Sequence, residues 1–387
     1  MSGWGHTHPL IRYHNPLMKV SCLANRLARG AHPSAHPLSQ SADRMINYIV
    51  RRLIQSIPQL IIISLVLFAL MQAFGDPLAT MGARTPPRAA DRERLMRQLG
   101  LDQPVHIQYL VWLIGNDWML IDRDGDGLGD EPGKRLGILR GDWGNSLVTK
   151  TPVLKVIGER LPNTLLLMIP AEIVIILVSL LLGVYSAVRQ YSLLDNVVTT
   201  ASFIGYSMPV FWLALMLMYT FGVYFERIGL PSLPTVGMFD PQAGRTTQQL
   251  ILHMILPIAT LAIISIAAYS RYVRSSMLEV LSQDYIRTAR AKGLIRREVI
   301  MRHALKNASL PFVTLIGLDI PFLLAGAVVT ESIFAWPGMG RLFVDHTDRA
   351  DFPVLMGILM MISAAVVAFQ IITDITYSFL DPRIRIE

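Results

Sequence analysis

The chain has 387 residues, of which 52% are hydrophobic and only 16% charged, and its mean hydropathy is +0.44. Soluble domains carry about 25% charged residues, so these proportions exclude an ordinary soluble domain and predict a multi-span membrane protein. A single cysteine, Cys22, excludes an intrachain disulfide and any cysteine-built metal or redox centre. The net charge of +7 is gathered at the edges of apolar runs, which fits the positive-inside bias of membrane proteins and not a nucleic-acid partner.

Residues 1–44 are polar, punctuated by Pro, Gly and Ser, and hold five of the nine histidines (His6, His8, His14, His32 and His36). No apolar core of the kind a cleaved signal peptide needs precedes Leu53. This arm reads as a disordered cytoplasmic extension; a histidine metal tail is the alternative, at irregular spacing. Residues 45–75 hold the first span, Leu53–Phe74, whose 22 residues reach about 33 Å as a helix against roughly 30 Å of hydrocarbon. Pro58 sits in its first turns, where a missing amide matters least.

Residues 76–162 are read as a loop domain outside the membrane, with 12 basic and 12 acidic residues between Gly75 and Pro162. Asp91–Leu99 is predicted to be a charged helix and Val105–Ile114 an amphipathic one, with Tyr109 and Trp112 at i and i+3. Trp112, Trp118 and Trp143 are candidates for anchoring it at headgroup level. Within the insert 116–139, Asp122, Asp124, Asp126, the Leu128 carbonyl and Asp130 match positions 1, 3, 5, 7 and 9 of a calcium loop, with Gly127 at position 6. Position 12, which should be a bidentate Glu, is Gly133. The alternatives are a structural calcium site and a solvated acidic turn.

Residues 163–387 are predicted to carry five more spans: Leu165–Val188, Phe203–Phe225, Ile251–Tyr269, Phe312–Val329 and Val354–Leu380. Arg44, Arg51 and Arg52 before the first span, and Arg383 and Arg385 after the sixth, place both termini in the cytoplasm. Glu172, Asp319 and Asp374 fall inside spans, where a bare carboxylate is costly. For Glu172 and Asp319 a translocation path or proton relay stands beside a satisfied structural carboxylate. Asp374, near the cytoplasmic end, reads as the satisfied kind.

The stretch 271–309 is a cytoplasmic loop with nine Lys and Arg against three acids, Glu279, Asp284 and Glu298. Ile286, Ala289, Gly293 and Leu294 fall on one helical face, ringed by Arg287, Arg290 and Lys292, so the helix is built to be gripped from the cytoplasmic side. The chain has no HExxH, GxSxG or P-loop: at the one near miss, Gly133-Lys134, Arg135 follows and Leu128 stands where the first Gly belongs. A chain without an engine takes its energy from another subunit.

At these residues the sequence resembles the membrane-spanning subunits of bacterial ABC importers, in the peptide/nickel branch that includes dipeptide and oligopeptide permeases of the B type. Thr288-Ala-Arg-Ala-Lys-Gly293 resembles the family's EAA loop, which His303–Asn307 and Leu310-Pro311 continue. Glu331–Arg341, Asp351-Phe-Pro353 and Asp381-Pro-Arg383 resemble the family's later blocks. Leu99–Pro104, Gly141–Ser146 and Glu159–Pro162 resemble its large outer loop. The EAA glutamate is Thr288 here, and the arm 1–44 and insert 116–139 lie outside the pattern.

The resemblance implies an all-α membrane protein of the type I importer fold, with six transmembrane helices in the bacterial inner membrane. It implies a second, similar permease chain, two ATPase subunits that bind ATP and Mg, and an extracytoplasmic solute-binding protein. The chain itself would be neither an enzyme nor a cofactor holder. Asp284, Tyr285, Arg287, Thr288, Ala289, Arg290, Ala291, Lys292 and Gly293 would form the coupling helix, with Ala289 and Ala291 permitting close approach of an ATPase groove.

Overall fold

The computed structural model describes residues 37–73, 96, 102–121, 129, 131–325 and 327–380. By contacts the chain divides into Met1–Arg51 with Ile386–Glu387, where residues 37–51 are helical, and Arg52–Arg385. Every contact described here lies in the second unit.

Helix α1 (Pro37–Ala73) is followed by the short apolar α2 (Val105–Ile114). The two are tied by the Ser64 and Tyr109 hydroxyls at 2.8 Å, by Gln72 Nε2 donating to Gln108 Oε1 at 2.6 Å, and by Phe68 against the rings of Tyr109 and Trp112. The predicted helix Asp91–Leu99 lies outside the described residues, apart from Met96. Of the three candidate anchoring tryptophans, Trp112 packs on Phe68, Trp143 packs into an apolar cluster and Trp118 is exposed.

A minimal antiparallel hairpin pairs Leu120 with Pro132 and Ile121 with Glu131, and Asn116 closes its base through bonds with the Arg135 backbone at 2.9 Å. The calcium-loop residues Asp122, Asp124, Asp126, Leu128 and Asp130 lie outside the described residues.

Helix α3 (Val153–Val188) and helix α6 (Thr247–Leu281) have 36 and 35 residues, much longer than the apolar runs that predict them. Their polar ends continue the helices beyond the hydrocarbon-length core. They cross closely at Gly183, where a Cβ would lie 2.6 Å from that of Val273. Between them the expected third span is broken: α4 (Leu193–Ser207) and α5, which runs from Val210 through a π-helical turn, Met218–Tyr224, to Arg227, meet at 108°. The cause is local. Met208, preceding Pro209, is held in the extended region (φ −79°, ψ 129°), and a residue before proline is driven out of the helical well.

Beyond α6 come α7 (Asp284–Ala291), α8 (residues 296–308, π-helical over Val299–Ala304), α9 (Leu310–Ala325), α10 (Val328–Ile333), α11 (Met339–Thr347) and α12 (Phe352–Leu380). Among the described residues four helices are long and apolar enough to cross a membrane, or five if the bent pair counts as one span; α9, at the expected fifth position, is shorter. The result is a helical membrane architecture with apolar clusters at both ends of the α3–α6 pair. One gathers Ala187, Val273 and Met277 around α7. The other gathers Val153, Ile157, Met339, Leu342, Val354 and Ile358.

Candidate functional site

Helix α7 sits on a hub. Ile286 and Ala289 are three residues apart, so they share one helical face, and both are buried against Val273, Met277, Val299, Ala304, Ala308 and Phe312. The remaining face is solvent-exposed and holds Asp284, Tyr285, Arg287, Thr288, Arg290, Ala291 and Lys292. Arg287 pairs loosely with Asp284 at 3.4 Å, and Thr288 Oγ1 donates to the Asp284 carbonyl. Gly293 follows with φ +78° and its amide donating to the Arg290 carbonyl at 3.0 Å. A left-handed residue just past the last turn is the standard helix stop, and glycine adopts it without a Cβ penalty. Ala289 thus packs inward, and Ala291 is the small residue presented outward.

Three contacts fasten this hub. Ser276 Oγ donates to the Ala308 carbonyl at 2.9 Å, Asn307 Nδ2 to the Tyr285 hydroxyl at 2.9 Å, and Arg296 Nη2 to the Val188 carbonyl at 3.1 Å. A cleft of about 570 Å³ opens beside α7, lined by Ala187, Val188, Leu278, Arg290, Leu294 and Arg296 among others. Sequence reasoning missed one further pair at this end, Asp195 with Arg274, bonded at 2.8 and 3.0 Å. Its only sequence trace is the Ser192–Asp195 spacing, a capping-box pattern in which Asp replaces Glu.

The carboxylates within the apolar helices are divided by the structure. Asp374 pairs with Arg52 at 3.2 Å, joining α12 to α1. Asp319 on α9 accepts a hydrogen bond from the Tyr269 hydroxyl of α6. Glu172 on α3 is buried, and its Oε1 has no hydrogen-bond partner among the described residues.

At the opposite end two carboxylates lock distant segments. Glu331 is fully buried and accepts from Thr164 Oγ1 at 2.9 Å and from the Arg341 amide at 3.1 Å. Trp336, equally buried, donates Nε1–H to the Asn163 carbonyl at 2.8 Å, and Asn163 Nδ2 donates to the Pro337 carbonyl. Trp336-Pro-Gly is therefore a keystone between α3 and the α10–α11 turn. Asp351 accepts from Ser146 Oγ at 2.5 Å, from the Leu147 amide at 3.0 Å and from His346 Nδ1 at 2.9 Å. Among the described residues no group of three His, Cys, Asp or Glu is placed to hold a metal ion.

Long apolar helices, buried carboxylates serving as joints and a basic helix displayed at one end define a multi-pass helical membrane protein. The comparisons make this specific. Residues 179–386 match the family described as "Binding-protein-dependent transport system inner membrane component", and residues 45–168 match its N-terminal companion. The chain is 42% identical over 349 residues to the "Oligopeptide transport system permease protein AppB" of Bacillus subtilis (strain 168), covering 88% of this chain and 100% of that one. It is 36% identical over 358 residues to the "Dipeptide transport system permease protein DppB" of Escherichia coli (strain K12), with 88% and 99% covered. It is also 36% identical over 343 residues to the "Glutathione transport system permease protein GsiC" of Salmonella typhi, with the same shares covered. The chain belongs to the family of binding-protein-dependent transport system inner membrane components, and it is a permease subunit of an ABC importer.

Proposed function

We propose that this chain forms, with a second homologous permease subunit, the pathway by which di- and oligopeptides enter a bacterial cell. It spans the inner membrane six times with both termini in the cytoplasm, α9 and the bent pair α4–α5 each counting as one crossing. An extracytoplasmic solute-binding protein delivers the peptide, and two ATPase subunits supply the energy with ATP and Mg. Helix α7 with its stop, residues Asp284 to Gly293, is the coupling helix. The observation that carries this is its two-sidedness: Ile286 and Ala289 bind it to the permease's own core, while a cationic face is left unpacked. ATP-driven closure of the ATPases would move such a helix as one body with the spans behind it.

Glu172 and Asp319 are assigned to the translocation path, supported by the buried Glu172 oxygen that has no partner among the described residues. For the acidic run in the insert a structural calcium stands beside a solvated acidic turn, and titrating the full chain with calcium against Asp124→Ala decides between them.

The experiment for the main assignment is reconstitution of the chain with the second permease, the ATPases and the binding protein in vesicles. Labelled dipeptide is expected to accumulate with ATP and to be indifferent to an uncoupler, while the chain alone hydrolyses no ATP. Gly293→Pro cannot adopt φ +78°, so uptake is expected to fall at least about tenfold. Undiminished uptake by that variant would remove α7 from the coupling role, and uptake abolished by the uncoupler would favour a proton-driven carrier.

A further inference from the structure

The Asp195–Arg274 pair lies where α4 crosses the base of α6. Asp195 is 2% exposed, and Arg274 grips it with two parallel bonds, Nε to Oδ1 at 2.8 Å and Nη2 to Oδ2 at 3.0 Å. A planar guanidinium fork on a carboxylate fixes both distance and angle. The carboxylate is itself immobilised. It stands in the first turn of α4 and accepts from the Tyr191 amide at 2.9 Å, while the Asp195 amide donates to Ser192 Oγ at 3.2 Å.

The rest of the α4–α6 contact is smooth. Ser202 faces Ser270 with hydroxyls 3.4 Å apart, and a Cβ on Gly205 would rest 3.4 Å from that of Ala267. Arg271 lies over the rings of Phe203 and Tyr206 at 5.0 and 4.9 Å, a contact with flat faces that tolerates slip. Small residues and ring faces offer nothing that resists sliding of one helix along the other. The buried fork does.

Its position gives that resistance a purpose. Arg274 follows Val273 and precedes Met277, both buried in the hub with Ile286 and Ala289 of α7. Asp195 leads through α4 to the Met208-Pro209 elbow and into α5. The Ala214 side chain of α5 packs with Leu256 and Phe334, next to the Glu331 and Trp336 joints at the opposite end. We infer that Asp195 and Arg274 form the strut that makes the bent pair α4–α5 follow α7, so both are positioning residues for coupled transport. This rests on the reading of α7 as the coupling helix.

The test uses the full importer in vesicles and two readouts. In a Cys22→Ser background, spin labels at Lys292→Cys on α7 and Val197→Cys on α4, both exposed, report the separation of the two helices with and without trapped nucleotide. In the parent complex that separation is expected to stay constant. In Arg274→Gln it is expected to change by at least about 3 Å, with transport per ATP falling about fivefold or more. Arg274→Lys, which keeps the charge but loses one arm of the fork, is expected to lie between. An unchanged separation and an unchanged transport-to-ATP ratio in Arg274→Gln would overturn the strut. So would a failure of both Arg274 variants to assemble, since the pair would then serve folding alone. A parent complex that keeps its constant separation but moves no labelled dipeptide sinks the substrate assignment and leaves the strut standing.

Discussion

Asp351 and Glu331 are both fully buried, yet they titrate in opposite directions. Burial acts to raise the Asp351 pKa, but the bonds from His346, Ser146 and the Leu147 amide prevail and hold it below the usual carboxylate range. At Glu331 burial prevails over the bonds from the Arg341 amide and the Thr164 hydroxyl, so its pKa is raised. The signs follow by linkage. Asp351 contributes stability that is fully present above the unfolded value of about 3.9 and lost as pH falls through the lower folded value. Glu331 binds its proton more tightly folded than unfolded. Its contribution therefore declines as pH rises from about 4.3 to the folded value. In melts of the detergent-purified chain, Glu331→Gln is expected to flatten that decline and leave the acid-side loss in place. An unaltered pH slope in Glu331→Gln would refute the assignment. Asp351→Asn is expected to cost about 1–3 kcal/mol at neutral pH, because one of the two accepting oxygens becomes an amide nitrogen that cannot accept from the donors facing it. Gly338 gives a companion test, since a Cβ there would lie 2.5 Å from the Glu331 carboxylate and from Thr164 Oγ1. Gly338→Ala should severely reduce the folded yield. Gly293→Ala, with open space around the Cβ and only the positive φ to strain it, should cost about 1 kcal/mol.

At the scale of elements, the acidic insert shows packing and a motif pulling apart at one position. Gly133 occupies the twelfth position of the calcium-like run, where the motif wants a Glu. In the fold it closes the hairpin base, its amide donating to the Met119 carbonyl at 3.1 Å, and a Cβ would meet the Asn116 side chain at 2.2 Å. Gly133→Glu, which completes the motif on paper, is expected to lower the melting temperature and to gain no calcium affinity; a tighter calcium isotherm would contradict this. The same contrast runs through the chain. Apolar runs of bilayer length announced α1, α3, α6 and α12, because lipid demands them. The amphipathic spacing of Ile286 and Ala289 and the glycine stop at Gly293 likewise made α7 readable. The elbow was not read, although Met208-Pro209 carries its signal: both flanks are apolar, and hydropathy alone cannot register a turn. The joints were least legible. Ser146 and Asp351 lie 205 residues apart, and Asp195 and Arg274 lie 79 apart, so only the assembled helices bring them together.

For the molecule as a whole, the spans differ in how much of themselves they bury. In the most apolar window of each span, 39% of the α6 residues are buried, 33% for α12 and 28% for α3, but only 6% for α1. Hydrophobicity does not distinguish these helices, since lipid tails are as apolar as leucine and burial from lipid is not a transfer out of water. What distinguishes them is packing. Ile358 on α12 is fully buried against Val153, Met339 and Val354, so Ile358→Ala leaves a cavity and forfeits dispersion contacts. It should cost about 2–4 kcal/mol. Ile57 and Ile61 on α1 are 58% and 48% exposed and face whatever surrounds the chain. Removing their methyl groups creates no internal cavity. Ile57→Ala and Ile61→Ala are therefore expected to leave the isolated chain within about 0.5 kcal/mol of the parent. Thermal unfolding in one detergent separates the two classes. A loss at Ile61→Ala equal to that at Ile358→Ala would mean that α1 is a packed member of the core; its few polar ties to α2 and to Asp374 would then not be its main hold.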